Sequence, residues 1–151
     1  MEKVYEEQEI IGRIIDLLRQ TSLYEDQYKK LVSGAFYPEN GFHDDLAPYI
    51  EVLENGYQLV QYERGMLALN KFTDQVDVVI FWIMEDVLFR IAYLKLLEEY
   101  RNERPLRFTA DRVKEVTIML HQAFAKIGDI YEQWHIEGRR SVIESPLRPL
   151  Q

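Results

Sequence analysis

Between Asp74 and Tyr100 the chain carries its most apolar stretch, and that stretch limits what the rest can be. Val76, Val79, Ile80, Ile83, Val87, Ile91, Leu94 and Leu97 recur at helical spacing, and Phe81, Trp82, Leu88 and Phe89 widen the stripe. A helix that is apolar nearly all round must be covered on several sides. The segment is therefore expected at the centre of the fold, with the other elements as its cover. The longest uncharged run, Val78 to Met84, is far too short to cross a bilayer, so no membrane association is expected.

The cover is legible on both sides of this helix. Ile10, Ile11, Ile14, Ile15, Leu17 and Leu18 predict an amphipathic first helix, with Glu7, Arg13 and Arg19 on its other face. Tyr24, Tyr28, Leu31 and Val32 mark a second, short one over about 23–32. Ser33 to Pro48 holds two glycines and two prolines and reads as an irregular loop, which Phe36, Tyr37 and Phe42 would hold against the domain. Tyr49 to Leu53 and Tyr57 to Tyr62 read as strands, and Asn55-Gly56 supplies the residues that best tolerate positive φ in a two-residue hairpin turn. Arg64-Gly65 allows a second tight turn into a third strand, Met66 to Phe72. Thr73-Asp74 offers a cap for the central helix. After Pro105, helices are predicted over about 109–126 and 129–143, separated at Gly128-Asp129. The expected class is α+β: a three-stranded antiparallel meander packed on a helical layer of about five helices.

At 151 residues, residues 1–151 are expected to form one domain, long enough to bury a core without a staple. No cysteine is present, which removes disulfides, thiolate metal sites and cysteine nucleophiles. The polar, acidic start Met1-Glu2-Lys3-Val4-Tyr5-Glu6-Glu7 has no apolar signal core, and the expected location is cytoplasmic.

The net charge of −8 is concentrated in the middle of the chain. From Leu31 to Phe89 ten acids face only Arg64 and Lys71, whereas the flanking segments carry −2 and +2. Nucleic-acid binding leaves the opposite footprint, a basic stripe. An acidic face suits a cationic protein partner, and it also serves solubility alone.

Candidate chemistry is sparse. His43, His121 and His135 lie at no metal-motif spacing, no Gly-rich phosphate loop occurs, and no serine sits in a nucleophile elbow. No cofactor or metal is expected. Glu85 and Asp86 interrupt the central apolar helix. Paired carboxylates can act as acid and base when burial separates their pKa values; alternatively one faces water and Asp86 pairs with Arg90 four residues on.

Pro48-Tyr49-Ile50-Glu51-Val52, Gly56-Tyr57, Glu63-Arg64-Gly65, Thr73-Asp74, the aromatic pair Phe81-Trp82, Phe89, Ala92, Trp134, Ile143 and Pro146 together resemble the immunity protein family numbered sixty-three of bacterial polymorphic-toxin systems, over about 47–146. Arg101, Arg104, Arg107 and Arg112 match its arginine-rich stretch loosely, and the first 46 residues add nothing to the comparison. The resemblance implies a small, non-enzymatic cytoplasmic protein that binds and neutralises a toxin encoded beside it. Combined with the charge pattern, it points to a toxin with a basic surface. The partner-binding candidates are Asp44, Asp45, Glu51, Glu54, Glu63 and Arg64. The alternatives are a small enzyme using Glu85 and Asp86 as buried acid and base, or a regulatory or assembly protein without a toxin partner.

Overall fold

The computed structural model describes residues 3–36, 49–64, 66–103, 107 and 109–138. Nearly all of the predicted loop, Asp44 and Asp45 included, lies outside the described residues. The chain runs through α1 (Glu7–Leu18), a 3-10 turn (Asp26–Tyr28) leading into α2 (Lys29–Ser33), β1 (Tyr49–Val52), β2 (Tyr57–Glu63), β3 (Met66–Thr73), α3 (Val76–Glu99), α4 (Ala110–Ile127) and α5 (Asp129–Ile136). The class is α+β, with one antiparallel sheet in the order β1-β2-β3.

Helix α3 is central because the two turns from Val78 to Met84 hold no charged residue and leave no polar face to expose. Val78 through Met84, with Val87 and Leu88, are almost completely buried. The expected burial of Trp82 and Ile83 holds, at 1% and 0% exposure. Each such side chain contributes roughly 1.5–3 kcal/mol by leaving water. Helix α1 presents Ile10, Ile11, Ile14, Ile15 and Leu18 to this core, as its periodicity predicts. The second half of α3 packs on α4 through Ala92, Leu96 and Val116. There the apolar stripe is only partly covered, and Phe89, Leu94 and Leu97 remain exposed.

The sheet adds a second layer. Ile50, Leu59 and Lys71 are aligned across the strands, as are Val52, Tyr57 and Thr73, and these rows face the helices. Tyr57 is fully buried, and its hydroxyl accepts a hydrogen bond from the Tyr5 backbone N–H at 2.8 Å. The edge of β1 is joined at Ile50, whose N–H donates to the Ala35 carbonyl at 2.7 Å.

The turns correct several local expectations. Val52 pairs with Tyr57, and the Leu53 N–H donates to the Gly56 carbonyl at 2.8 Å. The chain thus reverses at Glu54-Asn55, one residue earlier than Asn55-Gly56, and neither Asn55 nor Gly56 has a positive φ. Glycine is required at position 56 for space: a Cβ there would overlap the Phe72 ring and lie 2.8 Å from the Thr73 carbonyl oxygen. The β2–β3 reversal is as expected, since Glu63 pairs with Met66 and Arg64 takes a left-handed φ of 53°. A one-residue irregularity interrupts the β2–β3 register after Gln61.

Helix ends shift for identifiable reasons. Thr73 Oγ accepts from the Gln75 N–H at 3.1 Å, so it caps the turn before α3, and no side chain caps α3 itself. Thr109 does cap α4, accepting from the Arg112 N–H. Gly128, at φ 69°, separates α4 from α5. Helix α5 ends at Ile136, short of the predicted Ile143, because Gly138 enters the left-handed region at φ 69°.

Candidate functional site

Two places in this fold gather the polar residues from which a site could be built. The first is one end of the sheet. Glu51 is exposed on the outer face of β1, in register with Gln58 and Phe72. Glu54 is exposed in the following turn, and Asp74 is exposed just after Thr73, which pairs with Tyr57. Pairing therefore brings Glu51, Glu54 and Asp74 to one end of the meander. Phe72 sits beside them, 43% exposed. On the same outer face Gln58 donates to Asn70. Among the described residues none of the three carboxylates has a hydrogen-bond or ion-pair partner.

Glu63 and Arg64 lie at the opposite end of β2, a strand of seven residues. At ~3.3 Å per residue, that is a separation of roughly 20 Å. Arg64 is exposed in its turn; for Glu63 only the backbone is described. The predicted binding residues thus form two separate groups, and Asp74 joins the first of them. The sequence signal for Asp74 was the Tyr57–Thr73 pairing implied by two consecutive hairpins.

The second place lies where α5 crosses α3 and α4. Glu85 and Asp86, adjacent in sequence, point to different partners. The Asp86 carboxylate takes the Arg90 Nε at 3.0 Å, an i,i+4 pair at the surface. Glu85 Oε2 instead lies 3.0 Å from His135 Nδ1, with both side chains nearly buried. His135 Nε2 is in turn 2.8 Å from His121 Nδ1. A carboxylate and two imidazoles so form one hydrogen-bonded row spanning α3, α5 and α4. Phe124 stacks on His135 with ring centroids 4.4 Å apart. His121, Phe124, Glu132, His135 and Ile136 line a cavity of about 390 Å³ beside this row.

The row was invisible as a motif because its members are 50 and 14 residues apart. One signal existed: His121 and His135 are each seven residues from Gly128, the corner of the α4–α5 hairpin. Equidistance from a tight corner places residues opposite one another across two antiparallel helices. Since Glu85 and Asp86 serve different partners, they do not form a shared acid–base pair. No group of three or more ligating side chains among the described residues could hold a metal ion.

Other polar contacts around α3 hold the helices in place. The Tyr131 hydroxyl donates to Asp77 at 2.6 Å; burial, and then Asp77, push the phenol well above its ordinary range. Phe81 meets Trp134 edge-on at 5.7 Å and Phe124 at 5.8 Å. At the α3–α4 connection Arg112 donates to Glu103 through both terminal nitrogens, covers the Tyr100 ring at 4.1 Å, and holds the Glu103 carboxyl below its usual range. Among the expected arginines, Arg112 is thus a clamp, and Arg101 pairs with its neighbour Glu98 at 2.7 Å.

The family described as Immunity protein 63 matches this chain over residues 54–144. The chain belongs to that family. The matched segment runs from the first hairpin turn to beyond α5, so it includes Glu54, Phe72 and Asp74 of the sheet end but not Glu51, and it includes the Glu85–His135–His121 row and the Arg112 clamp. Neither a curated protein nor a solved structure matches the chain. For an Immunity protein 63 member the family itself indicates a toxin–immunity role and a toxin partner. Among the described residues no helix is long and apolar enough to cross a membrane.

Proposed function

We propose that this chain is a non-enzymatic immunity protein that binds a cognate toxin in the cytoplasm and neutralises it by occlusion. The observation that carries this reading is membership of the Immunity protein 63 family across most of the folded chain. The docking face we assign is the acidic end of the sheet, Glu51, Glu54 and Asp74 around Phe72, and the toxin surface it fits is basic. Three unpaired carboxylates on a rigid meander steer a cationic partner and speed encounter. An exposed aromatic at their centre supplies the desolvated contact on which interface energy concentrates. Glu63 and Arg64 form a separate, secondary contact, and Asp44 and Asp45, which precede β1 in sequence, are further candidates.

The test is calorimetric titration of the purified chain with the toxin domain encoded beside its gene, paired with growth of toxin-expressing cells. Stoichiometric binding that weakens with added salt, together with rescue of growth, is the expected result. No binding and no rescue would overturn the reading.

A further inference from the structure

We propose that the cavity between α4 and α5 is a receptor for a single cationic side chain, arginine or lysine, carried by the partner protein. The identity of that partner rests on the toxin reading above; the chemistry of the receptor rests on the side chains that line it.

Hydrogen-bond direction is transmitted along the buried row. The Glu85 carboxylate can only accept, so His135 Nδ1 carries the proton at their 3.0 Å contact. In the neutral imidazole His135 Nε2 is then an acceptor, and the 2.8 Å contact obliges His121 Nδ1 to donate to it. His121 Nε2 is left as a bare acceptor at the exposed end of the row. Glu132 lines the same cavity, and among the described residues its carboxylate has no hydrogen-bond or ion-pair partner. Among the described residues the remaining lining is Ile136, 72% exposed, with the fully buried Phe124 behind it. The site therefore offers two acceptors, one of them charged, and an apolar wall.

That combination selects its occupant. Among the described residues an anion would face Glu132 without a compensating donor, and an apolar group would strip water from the carboxylate and leave it unpaired. A guanidinium or ammonium on an aliphatic stem satisfies both acceptors and lays its methylenes on Ile136, the apolar wall that is open to solvent. At about 390 Å³ the cavity is near the small end of ligand sites and admits an arginine or lysine side chain.

The experiment has two arms on the full chain. In the first, imidazole ¹⁵N spectra are recorded while N-acetyl-arginine methylamide is added, with the norleucine analogue as control. The free chain should show both His121 and His135 as Nδ1–H tautomers. The arginine analogue should then shift the His121 Nε2 resonance saturably at millimolar concentrations, and the norleucine analogue should not. In the second arm, Glu132→Gln should weaken toxin binding about tenfold without changing the melting temperature, and His121→Ala should weaken it about tenfold with a lower melting temperature, since it also removes the His135 contact. No saturable shift, or equal shifts with norleucine, would overturn the proposal. So would wild-type toxin affinity in both variants, and that result would leave the immunity reading standing. A toxin that does not bind the wild-type chain would instead sink the immunity reading, and the first arm alone would then decide the receptor.

Discussion

Two sets of carboxylates from the same acidic stretch have opposite fates. On α3, Asp77, Glu85 and Asp86 each have a side-chain partner: Tyr131, His135 and Arg90. At the sheet end, Glu51, Glu54 and Asp74 are exposed and, among the described residues, have none. Counted along the sequence, the six are equivalent negative charges. In the fold Arg90 neutralises Asp86, and Asp77 and Glu85 are each tied to a neutral hydrogen-bond donor, whereas the second set stands in solvent with no side-chain partner among the described residues. A run of acids in a sequence is therefore an upper bound on an acidic surface.

The comparison breaks most severely if α3 is not the buried scaffold that presents the partnered set. Ile83→Ala should cost roughly 2–5 kcal/mol, because the side chain is fully buried and its neighbours cannot collapse into the space. Urea denaturation gives the number; an unchanged midpoint would mean that α3 is peripheral. At the other scaffold, Gly56→Ala should cost roughly 1–3 kcal/mol by forcing Phe72 and the Thr73 carbonyl away from the turn. The same variant would disturb the sheet end where Glu54 and Asp74 meet.

Within the partnered set the structure ranks the members. Glu85→Ala removes the acceptor from a nearly buried imidazole and should cost about 1–3 kcal/mol. Asp86→Ala, losing a surface i,i+4 pair, should cost no more than about 0.5 kcal/mol. Equal losses in the two variants would show that the His135 contact has no special standing. Tyr131→Phe should cost about 1–2 kcal/mol at neutral pH. Burial and Asp77 hold the Tyr131 phenol above its ordinary range, so its contribution is full below pH ~10 and is lost as pH rises through the raised value. Alkaline denaturation that is identical in wild type and Tyr131→Phe would contradict this.

Much of this architecture was readable before any coordinates. Periodicity located α1, α3 and α4, and the hairpin signals located all three strands, because local spacing reflects which face is buried. What failed was local in geometry and distant in sequence. Gly56 was read as a positive-φ residue, and its actual constraint is a ring and a carbonyl belonging to β3, sixteen or more residues away. Phe89, Leu94 and Leu97 fit the apolar stripe yet remain exposed, since periodicity does not say how far along a helix its cover extends. The Glu85–His135–His121 row depends on three helices meeting, a tertiary fact with only the Gly128 symmetry as a trace.

The smallest effect on stability belongs to the unpartnered set, and it is the most informative for function. Reversing Glu51, Glu54 and Asp74 to lysine together should change the unfolding free energy by no more than about 0.5 kcal/mol per site, because no side-chain contact is lost and exposed charges contribute little. If the sheet end docks a basic toxin, the same variant should bind at least about tenfold more weakly, on the order of 1.4 kcal/mol, with the loss greatest at low salt. The measurement is titration at two salt concentrations beside thermal melts of both proteins. A variant as stable as the wild type, equally tight and equally insensitive to salt, would mean these three charges only keep the chain apart from its copies. The contrast between the two carboxylate sets would then be one of packing alone, and the α4–α5 cavity would become the first place to look for the interface.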